Sequence, residues 1–210
     1  MKNLLNFGDH VISIYQNQSQ QISQITPYIS AALNQNQKCV YVIDNSSLPS
    51  LVSEFEKNGL NLEKYLDSKQ FVFKTANETY VADGSFDPDN MLSLVAKLID
   101  SALQEGFDGL LGIGEMSWIL KNVSDSKKLN QYESNLNSLR ENKAALICQY
   151  DESQFSKDFL VDVIRAHPHT VIYGSFHPNK YFYTPPEYFR SISRFPKDSY
   201  KTMIDIITGN

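Results

Sequence analysis

The feature that most limits what this chain can fold into is the order of its periodicities. Short apolar runs rich in β-branched residues alternate, from end to end, with stretches whose apolar residues recur every three or four positions. That repetition is the pattern of an α/β domain, a mainly parallel central sheet flanked by helices in three layers. Strands are expected at Val11–Tyr15, Lys38–Ile43, Phe71–Phe73, Gly109–Ile113, Ala144–Tyr150 and Thr170–Tyr173, and residues 174–183 read as a hairpin or edge element. The first helix carries Ile22, Ile25, Ile29 and Leu33 on one face behind a cap at Asn17 or Ser19, and Pro27 either kinks it or marks where its regular part begins. A second helix runs from Leu48 to Asn58 and closes at Gly59. The best-specified one has Asp87 as cap, Pro88 in its first position and an apolar face of Met91, Leu94, Val95, Leu98 and Ala102. Leu129, Tyr132, Leu136 and Leu139 define another, with Tyr132 on its core side. Ser156 caps one that must end at His167, because Pro168 disfavours helical geometry before it. At 210 residues the chain suits one large domain, here residues 1–190, with 191–210 as a C-terminal tail or short helix.

Charge and composition exclude several functions. A net charge of −5 leaves no basic surface for gripping nucleic acid. No apolar run approaches the ~20 residues of a membrane span, and the first residues lack the apolar core of a signal peptide, so a cytoplasmic protein is expected. The sequons at Asn17, Asn45, Asn77 and Asn122 are then chance matches in an Asn- and Ser-rich chain. Cys39 and Cys148 sit in separate apolar runs without a second Cys or His at metal-ligand spacing, and read as reduced core thiols.

In an open parallel sheet, ligands collect beyond the carboxyl ends of the strands. The expected strand exits carry Tyr15, Asp44, residues 75–80, Glu115 with Ser117 and Trp118, and Gln149, Tyr150 and Asp151. A parallel last strand would add His177 and Asn179. Glu115 stands out, since a carboxylate placed directly after an apolar strand is costly to desolvate unless a partner meets it; the alternative is a solvated loop residue. We expect Glu115, Trp118, Gln149 and Tyr150 to line one crevice, against the alternative that Asp151 caps its own turn and Tyr150 packs. His10 and His167 fall at the opposite, amino-end edge, where they can meet each other but not Glu115; with Arg165 they form a second-choice site. A two-histidine metal site there competes with two satisfied or surface histidines, and no metal or cofactor is assigned. The first strand-to-helix turn, residues 15–20, contains neither Gly nor Lys and so cannot cradle phosphates. With no nucleophile elbow, zinc-protease or dinucleotide motif either, the chain reads as a binding domain rather than an enzyme.

Several strings, in order, resemble one family. Asp9-His10-x4-Tyr15, Cys39-Val-Tyr-Val-Ile-Asp44, Phe86-Asp-Pro88, Gly114-Glu-Met-Ser-Trp118, Tyr132-Glu133, Cys148-Gln-Tyr-Asp151, Arg165-Ala-His-Pro168 and Asn179-x-Tyr181 resemble the MEDS domain, the methanogen and methylotroph DcmR sensory domain, over roughly residues 7 to 189. The resemblance implies a fold related to the RecA and KaiC core with its phosphate loop lost. It also implies a sensory role in prokaryotic signal transduction, with a small organic, hydrocarbon-derived ligand such as methanol or a halomethane. MEDS domains are often fused to a DNA-binding module or a histidine kinase; here about twenty residues follow the resemblance, so the expected partner is a separate signalling protein such as a histidine kinase or transcription regulator. Three readings compete: a ligand sensor, a degenerate RecA/KaiC-like module acting through protein contacts or as a homo-oligomer, and a hydrolase or lyase using Glu115 or Asp151 as base.

Overall fold

The computed structural model describes residues 5–82, 84–123, 126–137, 143–182 and 199–209. Leu139 of the expected helical stripe, and Pro185, from which a terminal helix was expected, lie outside them. The described residues form a seven-stranded sheet of β1 (His10–Tyr15), β2 (Gln37–Ile43), β3 (Phe71–Thr75), β4 (Gly109–Glu115), β5 (Ala144–Asp151), β6 (His169–Ile172) and β7 (Ser175–Pro178). The order is β3-β2-β4-β5-β1-β6-β7, parallel except for the last strand. The helices are α1 (Gln18–Asn34), α2 (Leu48–Lys57), α3 (Glu63–Asp67), α4 (Pro88–Gln104), α5 (Ile119–Asn122), α6 (Ser126–Leu136), α7 (Lys157–Ala166) and α8 (Ser199–Thr208). None of them is long and apolar enough to cross a membrane.

The punctuation read from the sequence works as chemistry. Asn17, Asp87 and Ser156 each accept a backbone N–H in the first turn of α1, α4 and α7, and Ser47, not singled out in the sequence, does the same for α2. Gly59 takes φ +82°, the left-handed geometry that stops α2. α1 starts at Gln18, so Pro27 lies inside it rather than at its beginning. The five-residue α3 was not anticipated, being too short to show a period.

Strand alternation divides the core in two. Val11, Cys39, Tyr41, Ile43, Leu111, Ile113 and Ile147 face α1 and α2, while Ile12, Ile14, Val40, Val42, Leu110, Cys148 and Tyr150 face α4, α6 and α7. Tyr200, Met203, Ile204 and Ile207 of α8 join the second cluster. Cys39 and Cys148 are thus buried on opposite faces of the sheet and cannot pair. Burial pushes both thiols well above their ordinary range. A thiol reagent should find two slow groups in the native protein and two fast ones in denaturant; a native intramolecular disulfide would contradict this sheet.

One expectation is corrected at the edge. β6 is parallel, but Tyr173 (φ 50°) and Gly174 (φ 87°) form a two-residue hairpin turn of the type that needs both residues left-handed. β7 therefore runs back, His177 pairs with Thr170, and Asn179 reaches the amino end, where its Nδ2 donates to the carbonyls of Ile164 and His167 at the end of α7. His177 and Asn179 do not stand at the carboxyl edge.

Candidate functional site

Two polar constellations occupy the two faces of the sheet, one near each end. The first is at the carboxyl edge. Glu115 and Gln149 are register partners at the ends of β4 and β5. Glu115 is only 2% exposed. Its Oε2 accepts the backbone N–H groups of Asp44 (2.9 Å), Asn45 (3.1 Å) and Ser46 (3.2 Å), the turn between β2 and α2, and its Oε1 accepts from Gln21 Nε2 at 3.1 Å. Three successive amides on one carboxylate oxygen are how a protein compensates a buried charge. Behind it, Tyr41 Oη donates to Gln149 Oε1 at 2.6 Å, and Gln149 Nε2 donates to the Gln21 carbonyl. Burial, with the Glu115 charge nearby, keeps the Tyr41 phenol protonated far above its ordinary range.

Outside this network lies an open crevice of about 380 Å³, lined by Tyr15, Gln18, Gln21, Ser50, Glu115 and Gln154 among others. Ser117 and Asp151 also border it. Ser117 Oγ donates to Asp44 Oδ2, while Asp151 accepts from Ser153 and Gln154 and so caps its own turn. Asn45 Nδ2 reaches Gln154 Oε1 at 3.4 Å across the mouth.

Trp118 and Tyr150 do not belong to this crevice, contrary to the expectation above. Gln149 and Tyr150 are neighbours on one strand, so their side chains must leave opposite faces. Trp118 follows the turn after β4 and is fully buried on the α4 side, stacked on Tyr80 at 4.5 Å and tilted against Phe86 at 4.9 Å. Tyr15, Glu115, Ser117 and Asp151 are brought together at the crevice, with Gln149 directly behind. Gln18, Gln21, Tyr41, Ser50 and Gln154 were missed; Gln21 could have been found, since it lies four residues before Ile25 on the buried side of α1.

On the same side as Trp118, a small apolar cavity of about 40 Å³ lies against Val40, Val42, Val95, Leu110 and Cys148. Gly114 forms part of its wall, and a Cβ there would collide with Tyr80 Oη.

The second constellation is at the amino end and is buried throughout. His10 opens β1, Cys148 points from β5, Glu133 from α6, and His167 caps the end of α7. Glu133 Oε2 is 3.2 Å from His10 Nε2 and 3.4 Å from His167 Nε2, and the two imidazole rings are 4.0 Å apart. Cys148 Sγ lies 3.4 Å from His10 Nε2 and 3.6 Å from Glu133 Oε2. Tyr150 Oη donates to Glu133 Oε1 at 2.6 Å. Burial first, then the neighbouring His167, push His10 down to about 4, so its ring is neutral at pH 7. Burial by itself would raise the Glu133 carboxyl, but the contacts with His167 and His10 together bring it below the ordinary carboxylate range. The meeting of His10 and His167, and their separation from Glu115, follow the sequence reading. Arg165 sits in the last turn of α7, outside the cluster. Two members were missed. Cys148 reads as a core thiol, because His10 is distant from it in sequence. Glu133 left a signal: it falls four residues after Leu129, inside the stripe of Leu129, Tyr132 and Leu136, where a charge needs a partner.

The architecture is that of a RecA-like α/β domain. The chain belongs to the MEDS family, described as the methanogen/methylotroph, DcmR sensory domain, whose profile matches residues 9–168. Among solved structures, the flagellar accessory protein FlaH from Methanocaldococcus jannaschii is similar with a TM-score of 0.55 at 11% identity, covering 80% of this chain and 72% of its own. The KaiC-like protein PH0186 from Pyrococcus horikoshii OT3 is similar with a TM-score of 0.54 at 14% identity, covering 79% and 70%. These likenesses describe the fold alone. No curated protein matches the sequence.

Proposed function

We propose that this chain is a non-catalytic sensory domain that holds a small organic molecule, hydrocarbon-derived and carrying a hydrogen-bonding group, in the carboxyl-end crevice, and that it signals to a partner such as a histidine kinase or transcription regulator. Membership of a sensory family supports the role. The observation that carries the site is the Glu115 network, which ties the β2–α2 turn, α1 and β4 into a rigid floor beneath an open, hydrogen-bonding wall of Gln18, Ser50 and Gln154. A ligand that competes for Gln154 Oε1 frees the Asn45 side-chain amide, so occupancy is felt at the surface of the turn beside α2 while Glu115 keeps its backbone in place. For a few heavy atoms the ceiling of ~1.5 kcal/mol per atom limits affinity to the micromolar to millimolar range.

Amide NMR with methanol and dichloromethane as probes tests this. Saturable shifts at Gln18, Ser50 and Gln154 are expected, lost in the double variant Ser50→Ala/Gln154→Ala while the rest of the spectrum is kept. Shifts confined to Val40, Val95 and Cys148 would move the site to the apolar cavity and overturn the crevice assignment, as would no saturable shift with either probe.

The non-catalytic reading has its own test. Two amides of the turn after β1 are already engaged: Gln16 N–H donates to Gln20 Oε1 (2.7 Å) and Gln20 N–H to Asn17 Oδ1 (3.0 Å). Calorimetry with ATP and magnesium should show no tight binding and no turnover, because nothing in that turn neutralises or orients phosphates; micromolar affinity with hydrolysis would sink the claim.

A further inference from the structure

We infer that His10 Nε2, Glu133 Oε2, Cys148 Sγ and His167 Nε2 form a buried four-coordinate site for a divalent transition-metal ion of the zinc type. The four ligand atoms lie within 4.8 Å of one another and belong to four separate elements: two strands, one helix and the end of another. Zinc bonds of about 2.0–2.3 Å place neighbouring ligands of a tetrahedron roughly 3.3–3.7 Å apart. Four of the six edges of this set, at 3.2, 3.4, 3.4 and 3.6 Å, are close to those values, and the other two are under 4.8 Å, within reach of a small side-chain adjustment on binding.

The surrounding hydrogen bonds aim the lone pairs inward. His167 Nδ1 donates to the Val163 carbonyl at 2.6 Å, which leaves Nε2 as the free nitrogen; it is fully buried and has no hydrogen-bond partner. Asn137 Nδ2 donates to the carbonyls of Glu133 and Ala166, so Asn137 presents its oxygen to His10 Nδ1 at 3.3 Å. That assigns the His10 proton to Nδ1 and the lone pair to Nε2. Tyr150 Oη holds the outer oxygen of Glu133. Each ligand that needs orienting thus has an outer partner, as metal-bound imidazoles and carboxylates do. The charge also closes. A thiolate and a carboxylate cancel a divalent cation, so the metal-bound site buries no net charge, whereas a carboxylate sealed there by itself is costly to desolvate. Two nitrogens, one oxygen and one sulfur with no open position suit a structural zinc better than magnesium or calcium, which take oxygen ligands. Binding deprotonates Cys148 and releases that proton to solvent. The inference is independent of the carboxyl-end crevice.

The test is metal analysis of the full chain refolded with zinc and freed of loose ions, together with the spectrum of the cobalt-substituted protein. One metal per chain is expected, with the visible bands of tetrahedral cobalt and a thiolate-to-cobalt charge-transfer band that disappears in Cys148→Ser. Tyr150→Phe removes only the hydroxyl that orients Glu133, and should weaken zinc about tenfold in competition with a chromophoric chelator. If Cys148→Ser does not fold, the wild-type metal content and charge-transfer band still decide. A folded wild-type chain that retains less than one-tenth of an equivalent, or a cobalt spectrum without thiolate character or unchanged in Cys148→Ser, overturns the site.

Discussion

Replacing Trp118 with alanine is expected to cost about 3–5 kcal/mol of stability, the range for removing a fully buried indole and leaving a cavity. The side chain has no exposed surface, stacks on Tyr80 and leans on Phe86, which in turn meets Tyr132 of α6 edge-on at 5.5 Å. Its loss loosens the contact of α4 and α6 with the sheet. For a chain of this size each kcal/mol moves the midpoint of thermal unfolding by roughly 2–4 °C, so a fall of about 6–20 °C should be seen by circular dichroism. Trp118→Phe should fall much less, because the indole N–H that it deletes has no partner. A Trp118→Ala protein as stable as the parent would mean that the indole is not packed as described.

Glu115→Ala is expected to act locally and then globally. Removing the carboxylate strips the Asp44, Asn45 and Ser46 amides of their acceptor at once. Hydrogen bonds to a charged group are worth about 1.5–3 kcal/mol, but water can reach this half-exposed turn, so a total near 2–4 kcal/mol is expected. The sharper signature is hydrogen exchange. Those three amides should lose protection by far more than the strands of β4 and β5, and the crevice should stop responding to any small molecule. Glu115→Gln keeps an oxygen for the amides and should recover part of the stability, but its amide nitrogen replaces the oxygen that accepts from Gln21 Nε2 and sets donor against donor. If the three amides stay protected in Glu115→Ala, the carboxylate is not what holds the turn.

What the sequence determined by itself is whatever short-range chemistry dictates. The alternation of periods specified the layered α/β class, and Asn17, Ser47, Asp87, Ser156, Gly59 and Pro168 set helix ends through bonds spanning three or four residues. Glu115 was legible because a charge at the end of an apolar strand is conspicuous in one dimension. The direction of β7 turned on two left-handed residues, Tyr173 and Gly174, of which only the glycine announces itself. The partition of Gln149 from Tyr150 follows from strand alternation, yet a grouping by strand exit alone placed them together. The amino-end cluster was legible only in part: strand and helix direction brought His10 and His167 to one edge although they stand 157 positions apart, but no spacing rule joins to them Cys148 and Glu133, which come from a strand and a helix of their own. Local motifs reveal sites built on one turn or one helix. A site assembled from four elements exists only once the sheet order has placed β1 beside β5 and packing has laid α6 and α7 over both, because that long-range geometry depends on which faces bury together rather than on any short stretch of chain.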